Sequence, residues 1–129
     1  MTLTEHACFE AGPVVLQSGI TYRDTRLAYK TWGRLNADRS NAVLFMTPFG
    51  AHHSDIAFMI GGGRALDPEK YFIVVPNLFG NGLSSSPSNA TAPFDGSQWP
   101  NCTAADNVFV QRRLMREVFG VERIALACG

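Results

Sequence analysis

His52 and His53 stand side by side, and adjacent imidazoles could ligate a metal or move a proton. No Cys, Asp or Glu lies at convincing ligand spacing from them, and Asp55 alone does not complete a set, so no metal site is expected. Both are read as pocket-lining or surface histidines. Cys8, Cys102 and Cys128 are odd in number and widely spaced. That argues against a disulfide framework or a zinc site and suits a reducing, cytoplasmic setting. Cys128 closes an apolar run and is expected as a small core residue, not a nucleophile. Gly61-Gly62-Gly63 and Gly80-Asn81-Gly82 fit neither G-x-G-x-x-G nor a phosphate loop ending in Gly-Lys-Ser/Thr, so they are read as turns. Arg64 and Asp67 are placed to form a local ion pair. The sequence of a serine nucleophile on a sharp turn, Gly-x-Ser-x-Gly, occurs nowhere in the 129 residues.

The elements that would carry these groups can be read from periodicity. Residues 14–18 suit a first strand ended by Gly19. Arg26–Trp32 alternates apolar and polar residues, as a half-buried strand does. Residues 35–41 are turn chemistry throughout. Ala42–Met46 and Tyr71–Val75 are continuous apolar runs too short for helices, which suits strands buried on both faces. A short helix is expected over Asp55–Ile60. The stretch 77–102 is rich in Asn, Gly, Ser and Pro, and a loop of that length is usually functional or disordered. Thr103 is a candidate N-cap with Asp106 at the third helical position. Val110, Leu114, Met115, Val118 and Phe119 then form one apolar stripe, and Gly120 is a suitable stop. Arg123–Cys128 is a third run of buried type. Strands alternating with helices predict an α/β fold with a largely parallel sheet flanked by helices, in a single domain over residues 1–129. Asn77 and serines 84–86 would then lie past the carboxyl end of a parallel strand, where ligand sites of such sheets gather. A substrate-side loop at Asn77 and Ser84 is one expectation; a loop held by its own side-chain hydrogen bonds is the other.

Composition excludes several classes. Hydrophobic residues make up 46% and charged ones 17%, a globular balance. Eleven basic residues offset eleven acidic ones, so no basic patch recommends nucleic acid or an anionic membrane surface as partner. Met1-Thr2-Leu3-Thr4-Glu5-His6 has no basic stretch leading into an apolar core, so no export signal is expected.

Several segments together carry a family likeness. Tyr29-Lys30-Thr31-Trp32-Gly33-Arg34-Leu35-Asn36 resembles the Y-K-T-x-G-x-L-N stretch near the start of homoserine O-acetyltransferases. Ile60–Asp67 with Tyr71-Phe72-Ile73, and Pro76-Asn77-Leu78-Phe79-Gly80 with Ser84-Ser85-Ser86-Pro87-Ser88, are similar to later segments of that family. Asp106-Asn107-Val108 with Gln111 matches the start of its helix before the nucleophile strand. The resemblance implies the N-terminal part of an α/β-hydrolase fold with a Ser/Asp/His triad. Cys128 would lead directly into the nucleophile elbow, with Gly129 its first glycine, so the Ser, Asp and His are expected beyond Gly129. Taken alone, the chain is expected to be inactive and, with an apolar strand edge exposed, prone to self-association.

The resemblance also assigns the loop after the 42–46 strand. In this fold one oxyanion-hole N–H comes from that loop, which places the donor at Phe49 with Gly50 allowing close backbone approach. Better-known members carry His-x-Leu-Thr-Gly here, whereas this chain has Thr47 and Phe49 at the His and Leu places. The implied activity is acetyl transfer from acetyl-CoA, a co-substrate rather than a tightly bound cofactor, to homoserine in methionine biosynthesis. A serine esterase of the same fold and a non-catalytic remnant or binding module stay open, as does a homodimer of the complete enzyme.

Overall fold

Where β-branched and aromatic residues alternate with polar ones, the chain pairs as a hairpin. The computed structural model describes residues 5–129; the reading of Met1-Thr2-Leu3-Thr4 as free of a leader lies outside the described residues. Strand β1 (Ala7–Val15) pairs antiparallel with β2 (Thr21–Trp32), from Ala7 opposite Tyr29 to Val15 opposite Thr21. The first strand therefore starts seven residues before the expected 14–18. Register shifts on either side of Gly12, itself at φ +68°, break the alternation that pattern reading relies on. Leu16–Ile20 form the turn, closed by the Leu16 N–H to Ile20 O at 2.8 Å.

Strands β3 (Ala42–Phe45) and β4 (Phe72–Pro76) are buried at every position. Alternate residues face opposite sides, which is why neither alternates in polarity. Leu44 and Val74 join Leu27 in one cluster with Val110, Leu114 and Met115; Val43, Phe45, Ile73 and Val75 join Ile56, Ile60 and Leu66 in the other. The second cluster is reached by two 3₁₀ turns, His53–Asp55 and Ala57–Met59, in place of the expected α-helix over 55–60. The bonds close three residues back, Asp55 to His52 and Met59 to Ile56.

Helix α1 (Ala104–Glu117) begins as expected. The Asp106 N–H donates to Thr103 Oγ1 at 3.1 Å, and Asp106 Oδ2 accepts the Thr103 N–H at 2.9 Å. Val110, Leu114 and Met115 are buried, but the helix ends before the rest of the anticipated stripe; Val118 is exposed and Phe119 packs edge-on against Phe72, centroids 5.0 Å apart. The Val121 N–H closes the end onto Met115 O at 2.9 Å, with Gly120 at φ +66°.

The tail is a strand, β5 (Leu126–Cys128), parallel to β3 with Phe45 opposite Cys128. Its expected burial does not hold: Leu126 is half exposed, because β5 lies at the edge of the five-stranded order β1-β2-β4-β3-β5 among the described residues. The α/β class stands, with a mixed sheet. β4, β3 and β5 are parallel and β1–β2–β4 antiparallel, and α1 is the sole α-helix among the described residues.

Candidate active site

Because β4, β3 and β5 run in parallel, their carboxyl ends open onto one edge of the sheet. Loops 47–53 and 77–86 and Gly129 meet there, where open α/β sheets place their ligands. The Met46 N–H donates to Cys128 O at 2.9 Å, and a Cβ at Gly129 would lie 3.3 Å from Met46 O. A glycine at 129 lets the end of β5 lie against the end of β3.

Pro48–Ala51 form a tight turn, the Ala51 N–H reaching Pro48 O at 3.1 Å, with Gly50 third at φ +78°. Phe49 is 99% exposed, and neither its N–H nor that of Gly50 is taken up by a hydrogen bond among the described residues. Thr47, in contrast, is buried, its Oγ1 accepting the Leu78 N–H at 3.3 Å.

Asn77 and Ser84 are both fully buried. Ser84 Oγ accepts the Ala28 N–H at 2.9 Å and donates to Asn77 O at 2.8 Å. Ser85 Oγ accepts the Arg26 N–H at 2.8 Å. β2 is longer than β4, and these hydroxyls satisfy its ladder where β4 has ended. Asn77 Oδ1 accepts the His53 N–H at 2.9 Å, while Nδ2 donates to Ala28 O at 3.1 Å and to His53 Nδ1 at 3.0 Å. With Oδ1 already accepting, the amide must donate to the imidazole, which leaves the ring proton on Nε2 in the neutral form. The geometry of both residues is that of the second expectation, a loop held by its own side chains.

His53 is buried against that network rather than lining a pocket, its ring 5.7 Å from that of His6. His52 is half-buried and donates Nε2–H to Asn81 O at 2.7 Å. No group of three or more His, Cys, Asp or Glu among the described residues is placed to hold a metal. Burial pushes the Cys128 thiol above its ordinary range, the opposite of an activated thiolate. Burial and the nearby Asp106 carboxylate push Cys102 up to about 11. The expected Arg64–Asp67 pair is replaced: Asp67 accepts the Gly63 N–H at 3.0 Å and the Glu69 N–H at 2.9 Å, and no salt bridge among the described residues includes Arg64.

Asn81 is the residue that sequence reading passed over. Its Oδ1 accepts the Leu83 N–H two residues on, while Nδ2 donates to Ala51 O and to Asn77 Oδ1, each at 3.1 Å. The available signal was an Asn between two glycines, both at positive φ, where a side chain commonly caps the following backbone.

With this geometry the chain can be set beside known proteins. No family model matches it. It is 42% identical to an ethyl acetate hydrolase of Pseudomonas veronii, covering 99% of this chain and 38% of the relative. It is 39% identical to a homoserine O-acetyltransferase of Thermobifida fusca, covering 91% of this chain and 35% of the relative. An acetylester hydrolase from Corynebacterium glutamicum superposes with a TM-score of 0.94 at 38% identity, covering 98% of this chain and 37% of that one. The chain thus spans a little over a third of the length of the relatives it matches. No helix among the described residues is long and apolar enough to cross a membrane. On these likenesses and its parallel-edge geometry, the chain is similar to homoserine O-acetyltransferases and esterases alike, and its fold is that of the α/β-hydrolases.

Proposed function

We propose that the whole protein transfers acetyl groups through a serine ester, with water as the acceptor, and that this segment supplies its oxyanion loop. The observation that carries the reading is the Pro48–Ala51 turn, whose Phe49 N–H is unengaged at the carboxyl edge of the parallel strands. In the full-length protein a serine following Gly129 attacks the acetyl carbonyl, and a histidine takes its proton. The carbonyl oxygen becomes an oxyanion held by the Phe49 N–H and by the N–H after the serine, each such donor contributing about 3–4 kcal/mol to the barrier reduction. The tetrahedral intermediate collapses, the alcohol leaves with the histidine's proton, and water, deprotonated by the same histidine, releases acetate. Thr47 and Phe49 stand where homoserine acetyltransferases carry His and Leu, which favours water over an amino-acid acceptor. The hydrolase relatives at 42% and 38% identity support the same choice.

The second reading is O-acetylation of homoserine with acetyl-CoA as donor, supported by the Tyr29–Asn36 segment and the 39% identical acetyltransferase. The deciding experiment offers full-length protein ethyl acetate alone and, separately, acetyl-CoA with homoserine. Acetate release from the ester at a rate unaffected by homoserine supports hydrolysis. Homoserine-dependent release of free CoA with little ester turnover overturns it. A cytoplasmic location and the absence of nucleic-acid and membrane partners belong to the same proposal.

A further inference from the structure

The two loops at the carboxyl edge are held together by Asn77 and Asn81, and Asn81 is the one that reaches the Pro48–Ala51 turn. Asn81 Nδ2 donates to Ala51 O at 3.1 Å, at the end of the Pro48–Ala51 turn. The same Nδ2 donates to Asn77 Oδ1 at 3.1 Å, and that oxygen also accepts the His53 N–H at 2.9 Å. Asn81 O accepts His52 Nε2–H at 2.7 Å. Three consecutive residues of the first loop, 51 to 53, are thus tied directly or through Asn77 to Asn81. The second loop is itself anchored: Asn81 Oδ1 accepts the Leu83 N–H at 3.0 Å, and Ser84 fixes the following residues to β2. The turn bearing Phe49 has no comparable support of its own, since the Phe49 side chain is almost wholly exposed.

We propose that Asn81 is a positioning residue for the oxyanion turn: its carboxamide and carbonyl clamp residues 51–53 so that the Phe49 N–H points at one fixed place. The inference rests on the proposed acyl transfer for its catalytic consequence but on the hydrogen bonds alone for its structural one. The physical need is plain. An oxyanion donor acts only within a few tenths of an ångström of where charge develops, and a misplacement of about 1 Å costs on the order of 100-fold in rate. A two-residue exposed turn holds no such position by itself.

The test is Asn81→Asp in the full-length protein. A carboxylate keeps the acceptor for the Leu83 N–H, so the 81–84 turn survives, but it cannot donate to Ala51 O or Asn77 Oδ1. His52→Ala is the second variant, removing only the donor to Asn81 O and serving if the first does not fold. Amide hydrogen exchange and acetyl-ester kinetics are read on both. The expected result is exchange at residues 51–53, whose N–H groups are hydrogen-bonded to Pro48 O, Asp55 Oδ2 and Asn77 Oδ1, at least about tenfold faster, with β3 and β4 unchanged. Alongside it, kcat should fall by about 10- to 100-fold with KM within twofold. Unchanged exchange at 51–53 in both variants overturns the clamp, and so does a rise in KM with kcat intact. If the wild-type protein turns over no acetyl ester, the proposed function fails, and the exchange measurement still decides the clamp.

Discussion

Replacing Ser84 with alanine separates a structural strut from a substrate contact, because the two assignments predict opposite results. The hydroxyl is fully buried, accepting the Ala28 N–H at 2.9 Å and donating to Asn77 O at 2.8 Å. Alanine fits the same space, so the cost is electrostatic: two backbone groups with no exposure lose a partner. Ala28 and Asn77 are both at 0% accessibility, which closes the route to water. Each orphaned buried group costs about 1–3 kcal/mol, so a loss of about 3 kcal/mol is expected. At a urea slope of about 2 kcal/mol/M that lowers the unfolding midpoint by about 1.5 M without changing the slope. Fluorescence of Trp99 follows the transition well, since its ring packs 5.3 Å from Tyr22 on the same β2 strand. Turnover of the folded fraction should be close to wild type. A midpoint shifted by less than about 0.3 M together with lost turnover would refute the strut and return Ser84 to the substrate side.

Three further outcomes follow from the same geometry. Gly33→Ala should destabilise by at least about 2 kcal/mol in urea unfolding, because Gly33 is at φ +84° and an added Cβ would sit 2.6 Å from Pro68 O. Leu114→Ala, at a fully buried position between α1 and the sheet, should cost about 2–5 kcal/mol, whereas Val108→Ala on the exposed face should cost under about 0.5 kcal/mol. Hydrogen bonds from the Glu69 and Gly63 N–H groups hold the Asp67 carboxyl below the ordinary carboxylate range. A depressed folded value means the ionised form stabilises above the unfolded pKa, and this is lost as pH falls through the folded one. Urea midpoints taken from pH 7 to pH 3 should therefore fall more for wild type than for Asp67→Asn, with the difference opening below about pH 4.

Short-range chemistry was enough to read the class and much of the chain. Apolar runs at 42–46 and 71–75 identify strands because burial on both faces leaves no polar position, whatever the topology. Thr103 and Asp106 mark a helix start because a capping box is made entirely within four residues. The Phe49–Gly50 turn was placed by family likeness, and the spacing alone would have left it an ordinary turn.

What tertiary structure decided is whatever depends on a partner far along the chain. The roles of Asn77 and Ser84 turn on Ala28, some 50 residues away, so no local pattern distinguishes a strut from a ligand contact. Asn81 looks like any turn residue until the parallel order of β4 and β3 brings Ala51 within hydrogen-bonding distance. The bulges at Gly12 hid half of β1, and the exposure of β5 follows from its place at the sheet edge rather than from its apolar sequence. Periodicity reports which face of an element prefers to leave water; only the packed sheet determines which groups meet there.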